Sequence, residues 1–118
     1  MKKILVAEDN DSNFILMSYI LKKFYQFERA KNGQEAVEMA DKGQYDIVLM
    51  DIKMPIMNGL EATKAIKEKH PDLPVVALTA NAFDSDRQLV VEAGCDDFLP
   101  KPVSSEACIE TIKRFVGE

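Results

Sequence analysis

Asp51 closes the apolar run Ile47-Val48-Leu49-Met50, and Glu8-Asp9 follow a second run, Ile4-Leu5-Val6-Ala7. Thr79 ends a third, Val75-Val76-Ala77-Leu78, and Lys101 lies just beyond Asp97-Phe98-Leu99. Short apolar runs bounded by polar and turn residues read as strands buried on both faces. Polar groups at the carboxyl ends of such strands stand where open α/β sheets bind ligands. Three carboxylates brought together repel and raise one another's pKa, and a bound cation relieves the repulsion. All-oxygen ligands suit Mg²⁺ with several retained waters. Zinc does not fit: His70, the only histidine, precedes the Val75 run, and Cys95 precedes the Asp97 run. Both therefore belong to the opposite pole. The Thr79 hydroxyl and the Lys101 ammonium add what a transferring phosphoryl group needs. Asp51 is then the candidate nucleophile. Taken singly, Asp9 reads as a helix-cap acid, Thr79 as a β-branched strand residue and Lys101 as a surface lysine. Their coincidence at four strand ends singles them out.

These strands alternate with helical patterns. The Asn10-Asp11-Ser12 caps open a helix through about Phe24, and Phe27–Ala30 is a weaker strand. Asn32-Gly33 signals a turn, and Gln34 to Asp41 reads as a helix ended by Gly43. Asn58-Gly59 lead into a helix from Leu60 to about Lys69, and Asp84-Ser85-Asp86 cap one that ends at Gly94. Ser104-Ser105 open the last, with Cys108, Ile109, Ile112, Phe115 and Val116 at helical spacing. Five βα units predict an α/β fold: a parallel five-stranded sheet with helices on both faces, in the flavodoxin-like order 2-1-3-4-5. That order sets strands 1 and 3 side by side, about 4.8 Å apart, so Glu8, Asp9 and Asp51 converge.

The totals agree. A chain of 118 residues, 47% of them hydrophobic, suits one domain over 1–118. A formal net charge of -5 argues against a nucleic-acid surface. No apolar run approaches the roughly 20 residues of a membrane span, and no secretory signal is visible. Cys95 and Cys108 form no motif and read as buried thiols of a reducing, cytoplasmic compartment.

The chain resembles the receiver domains of response regulators in two-component phosphorelays. The likeness covers essentially all residues and rests on ILVAEDN around Glu8-Asp9, VLMDIKMPIMNG around Asp51, VVALTANA around Thr79 and DDFLPKP around Lys101. It implies that Asp51 accepts a phosphoryl group from a histidine of a kinase or a phosphotransfer domain. Asp9, Asp51 and the Lys53 carbonyl would bind Mg²⁺, with Glu8 acting through a metal-bound water. Lys101 would pair with the phosphoryl oxygens. Thr79 and the Ala80 backbone would contact them, and Phe98 would complete the switch as Thr79 moves inward. Lys53 and Asn81 would tune the phosphoryl lifetime, and the Lys101-Pro102 bond would be cis. The chain departs from the common pattern at Glu8, Asn58, Phe98 and Pro100. Phe98 lacks a phenolic hydroxyl, so its movement would depend on packing alone.

EDN followed by Asn13, together with ALTANA, resembles receivers joined to hybrid sensor histidine kinases. A stand-alone regulator is the alternative, and a second copy of the chain remains a candidate partner. A phosphatase of the haloacid-dehalogenase type wants a second Asp where Lys53 stands. A flavodoxin-like cofactor binder would place a phosphate against acidic Glu8-Asp9-Asn10-Asp11. Finally, Phe14, Ile15, Leu16, Met17, Tyr19, Ile20 and Leu21 carry more apolar surface than one buried stripe requires. The excess reads either as a broad core face or as a docking patch, centred on Phe14 and Ile15, for a histidine-bearing helix.

Overall fold

A computed structural model describes residues 2–79 and 84–117, without the side chains of 84–86. Its elements alternate: β1 (Lys3–Ala7), α1 (Asp11–Leu21), β2 (Gln26–Ala30), α2 (Gly33–Lys42), β3 (Ile47–Asp51), α3 (Gly59–Lys69), β4 (Val75–Thr79), α4 (Asp84–Ala93), β5 (Asp97–Pro100) and α5 (Ser105–Val116). All strand pairings are parallel, in the order β2-β1-β3-β4-β5. The (βα)5 flavodoxin-like expectation holds. Ala7 pairs with Met50 and Asp51 with Leu78, so the ends of β1, β3 and β4 lie level along one edge.

Strand alternation builds two cores. Ile4, Val6, Ile47 and Leu49 pack beneath α1 and α5 with Met17, Leu21, Cys108 and Ile112. Leu5, Ala7, Val48 and Met50 face α2 and α3 with Ala36, Ala40, Ala62 and Ile66. Every residue of β3 and β4 is buried, as expected of inner strands of a parallel sheet. Each large side chain buried this way contributes about 2 kcal/mol.

Side-chain caps start the helices at the carboxyl edge. Asn10, Asn32, Asn58 and Ser104 each accept the backbone N–H three residues on. Asn58 and Glu61 form a reciprocal capping box. Two of these starts differ from expectation. Asn32-Gly33 is a cap and first helical residue rather than a turn, and Gly59 is already helical. Both glycines are sites of close approach: a Cβ on Gly33 would lie 2.2 Å from the Met57 carbonyl oxygen, and one on Gly59 would lie 2.0 Å from that of Asp51. Helix α1 stops at Leu21, short of Phe24. The N–H groups of Phe24 and Tyr25 both turn back to the Leu21 carbonyl, and Tyr25 is buried. The expected Asp84-Ser85-Asp86 cap lies outside the described side chains. β5 runs on to Pro100, where a missing N–H is tolerated on an edge strand.

Candidate functional site

β1, β3, β4 and the segment after β5 deliver five polar side chains to one cleft. Glu8 and Asp51 are only 2% and 5% exposed, Thr79 is buried, and Asp9 lies open. The Lys101 ammonium bridges the two buried acids, 3.0 Å from Asp51 Oδ1 and 3.2 Å from Glu8 Oε1. Its backbone N–H donates to the Thr79 carbonyl at 2.7 Å, which ties the end of β5 to the end of β4. The Lys101-Pro102 peptide bond is cis. A cleft of about 300 Å³ opens over Glu8, Asp9, Asp51 and Lys101, with Lys53 and Thr79 also in its wall. Leu89 and Val90 of α4 supply apolar wall opposite.

Electrostatics mark this edge. Glu8 is pushed up to about 7, first by burial and then by the hydrogen bond and charge of Asp51, with Lys101 opposing. Burial also works against the Lys101 charge, but the Asp51 hydrogen bond and the charges of Asp51 and Glu8 outweigh it and raise its pKa. One lysine therefore leaves the acidic cluster short of positive charge.

Glu8, Asp9 and Asp51 each offer a carboxylate oxygen within 4.8 Å of the others. An all-oxygen set, two parts buried and one open, with excess negative charge, fits a small hard cation such as Mg²⁺. No other such cluster of acids, histidines or cysteines occurs among the described residues.

The remaining expected residues divide. Phe98 is half-buried at the end of the sheet, with the Arg87 guanidinium 5.2 Å from its ring centroid. Ala80 and Asn81 lie outside the described residues. Phe14 turns partly inward, edge-on to Phe27 at 6.0 Å, whereas Ile15 is exposed. Leu16 and Tyr19, both 62% exposed, extend the apolar surface of α1. They also line a second groove, of about 450 Å³, that reaches Glu8 and Lys101. His70 lies at the far pole against Asp41, and Cys108 is in the core. Burial pushes the Cys108 thiol up to about 12.

Sequence reasoning passed over Arg29, which reaches under the β1–α1 loop. Its only signal was a charge within an otherwise weak strand.

From residue 4 to residue 113 the chain matches the response regulator receiver domain. It is 43% identical over 132 residues to hybrid signal transduction histidine kinase B of Dictyostelium discoideum, covering 99% of this chain and 7% of the kinase. It is 36% identical over 120 residues to the polar-differentiation response regulator DivK of Brucella anthropi, covering 99% of this chain and 98% of DivK. Among solved structures it is similar to the receiver domain of a Pseudomonas aeruginosa PAO1 sensor histidine kinase with magnesium coordinated in its active-site cleft. The TM-score is 0.93 at 32% identity, over 99% of this chain and 98% of that one. The receiver domain of Saccharomyces cerevisiae Ssk1, crystallised with the histidine phosphotransfer protein Ypd1, gives 0.93 at 30% identity, over 98% and 89%. The strand order, the acids at its switch point and a family match over nearly the whole chain agree: the protein belongs to the response regulator receiver domains of two-component signalling.

Proposed function

We propose that Asp51 accepts a phosphoryl group from a phosphohistidine and that its modification switches the domain's partner surface. The observation that carries this reading is the placement of Asp51: nearly buried, 3.0 Å from the Lys101 ammonium, beside Glu8 and Asp9, and facing the cleft. An Asp51 carboxylate oxygen forms the new bond to phosphorus as the P–N bond of the donor breaks. The imidazole nitrogen leaves with the electron pair and takes up a proton from solvent. Lys101 faces the charge that gathers on the phosphoryl oxygens. Glu8, Asp9, Asp51 and the Lys53 carbonyl would hold Mg²⁺, which supplies neutralisation of the phosphoryl charge when bound. Burial of the Asp51 side chain sets the Lys101 ammonium against a low-dielectric wall, where it acts most strongly on phosphoryl charge.

In this reading Thr79 and the Ala80 backbone receive phosphoryl oxygens, and Phe98 shifts as Thr79 is drawn inward. A local charge thereby biases the face formed by α4, β5 and α5. Lys53 and Asn81 set the lifetime of the acyl phosphate. The donor is a histidine of a kinase or a phosphotransfer domain that docks beside α1, over Phe14, Ile15, Leu16 and Tyr19. The 43% identity to a hybrid kinase supports a hybrid histidine kinase as the parent, with this domain as its cytoplasmic part. The 36% identity to the response regulator DivK supports a stand-alone regulator as the second reading. The phosphatase alternative lacks its second acid, since Lys53 stands there.

Beryllofluoride, which mimics a phosphoryl group on a carboxylate, tests the site. With Mg²⁺ it is expected to shift the amide resonances around Asp51, Thr79 and Lys101, and flavin is expected to shift none. A flat beryllofluoride titration, or tight flavin binding, would contradict the proposal.

A further inference from the structure

Arg29 stands on β2, one residue before Ala30, whose carbonyl accepts the Glu8 N–H at 3.0 Å. Its side chain leaves the sheet and reaches under the β1–α1 loop. Nε donates to the Glu8 carbonyl at 3.0 Å, and one terminal nitrogen donates to the Asp9 carbonyl at 3.2 Å. The other terminal nitrogen lies 2.8 Å from Asp11 Oδ1. The guanidinium carbon sits 4.8 Å from the Phe14 ring centroid. The side chain is only 16% exposed, so its donors face these partners rather than water.

The geometry follows from the backbone. The Glu8 carbonyl belongs to the peptide plane before the Asp9 Cα, and the Asp9 carbonyl to the plane after it. Holding both planes fixes φ and ψ of Asp9, and with them the direction in which its carboxylate leaves the chain. Asp9 is the exposed member of the acidic cluster, with no burial to orient it. A planar fork suits two neighbouring carbonyls; a lysine ammonium on a flexible stem does not hold them together.

We propose that Arg29 is a positioning residue for the cation site: it aims Asp9 at Glu8 and Asp51 by clamping the peptide planes on either side. The inference rests on the Mg²⁺ reading above. It is tested on the whole chain by Mg²⁺ titration, followed by amide resonances, of wild type, Arg29→Met, Arg29→Lys and Asp11→Asn. The titrations are run well below the melting temperature of every variant. Outer partners of metal ligands are commonly worth about tenfold or more in affinity. Arg29→Met is therefore expected to weaken Mg²⁺ about tenfold and to shift the metal-free resonances of Glu8, Asp9 and Asn10. Arg29→Lys is expected to fall between, and Asp11→Asn, which spares both carbonyl bonds, to stay near wild type. Arg29→Met and Arg29→Lys that melt earlier yet bind Mg²⁺ like wild type would show a structural tie only and overturn the proposal. Should Arg29→Met fail to fold, unchanged affinity in Arg29→Lys overturns it alone. A wild-type chain that binds no Mg²⁺ would remove the cation reading itself, and this inference with it.

Discussion

The two poles of the sheet treat acidic side chains in opposite ways. At the amino pole Asp46, Asp96 and Asp41 each have their own donors. Asp46 accepts the Lys3 backbone N–H at 2.8 Å. Asp96 accepts the Val75 N–H at 2.9 Å and the Lys67 ammonium at 2.7 Å. Asp41 sits between His70, at 2.9 Å, and Lys69, at 3.1 Å. At the carboxyl pole, Glu8 and Asp51 share one lysine while Asp9 stands beside them. The pKa shifts follow. Hydrogen bonds from His70 and Lys69 hold Asp41 below the usual carboxylate range, whereas burial and Asp51 push Glu8 up to about 7. Acids at the amino pole fasten strands and helices. Glu8, Asp9 and Asp51 have one lysine among them, which on the proposed reading suits them to a cation and makes the site costly to hold empty.

Removing an acid should therefore have opposite effects at the two poles. The largest expected change is at Asp96. Asp96→Ala takes a charged acceptor from the Val75 N–H and should lower stability by about 2–3 kcal/mol in urea melts. Mg²⁺ affinity, set at the distant pole, should stay within about twofold. Glu8→Gln should do the reverse. In the folded chain Glu8 keeps its proton up to about 7, while the unfolded chain releases it near 4.5. The native state thus binds more protons across that window, and stability falls as pH rises through it. At pH 8 without metal, Glu8→Gln should gain about 2 kcal/mol over wild type, with most of the gain gone by pH 4.5. A loss of stability at pH 8 would mean that the Lys101 pair outweighs the burial of Glu8. The smallest stability change is expected on α1. Leu16→Glu should alter stability by less than about 0.5 kcal/mol. It should slow transfer from a histidine phosphotransfer donor on the order of tenfold while leaving acetyl phosphate labelling intact. Equal effects on both donors would remove the docking role.

Much of this contrast was legible in the chain. An apolar run ending in Asp51, with Glu8-Asp9 after another, is readable because inner parallel strands have no solvent face to break the pattern. The helix starts at Asn10 and Ser104 were readable for a similar local reason: each caps an N–H group three residues away. Helix α1 was harder. Its apolar residues surround the axis, so periodicity marks neither the buried side nor the end at Leu21. The inward turn of Phe14 brings it against Phe27, a partner on β2 rather than on its own helix. Arg29 escaped notice because its acceptors are backbone carbonyls 20 and 21 residues away, which carry no side-chain signature.

The most direct test of the central claim is the intact mass of the chain after incubation with acetyl phosphate and Mg²⁺. The account predicts a gain of one phosphoryl group, mapped to Asp51, lost on chelation of the metal before the donor is added, and absent in Asp51→Asn. A chain that takes up no phosphoryl group, or an Asp51→Asn variant labelled at the wild-type rate, would contradict it.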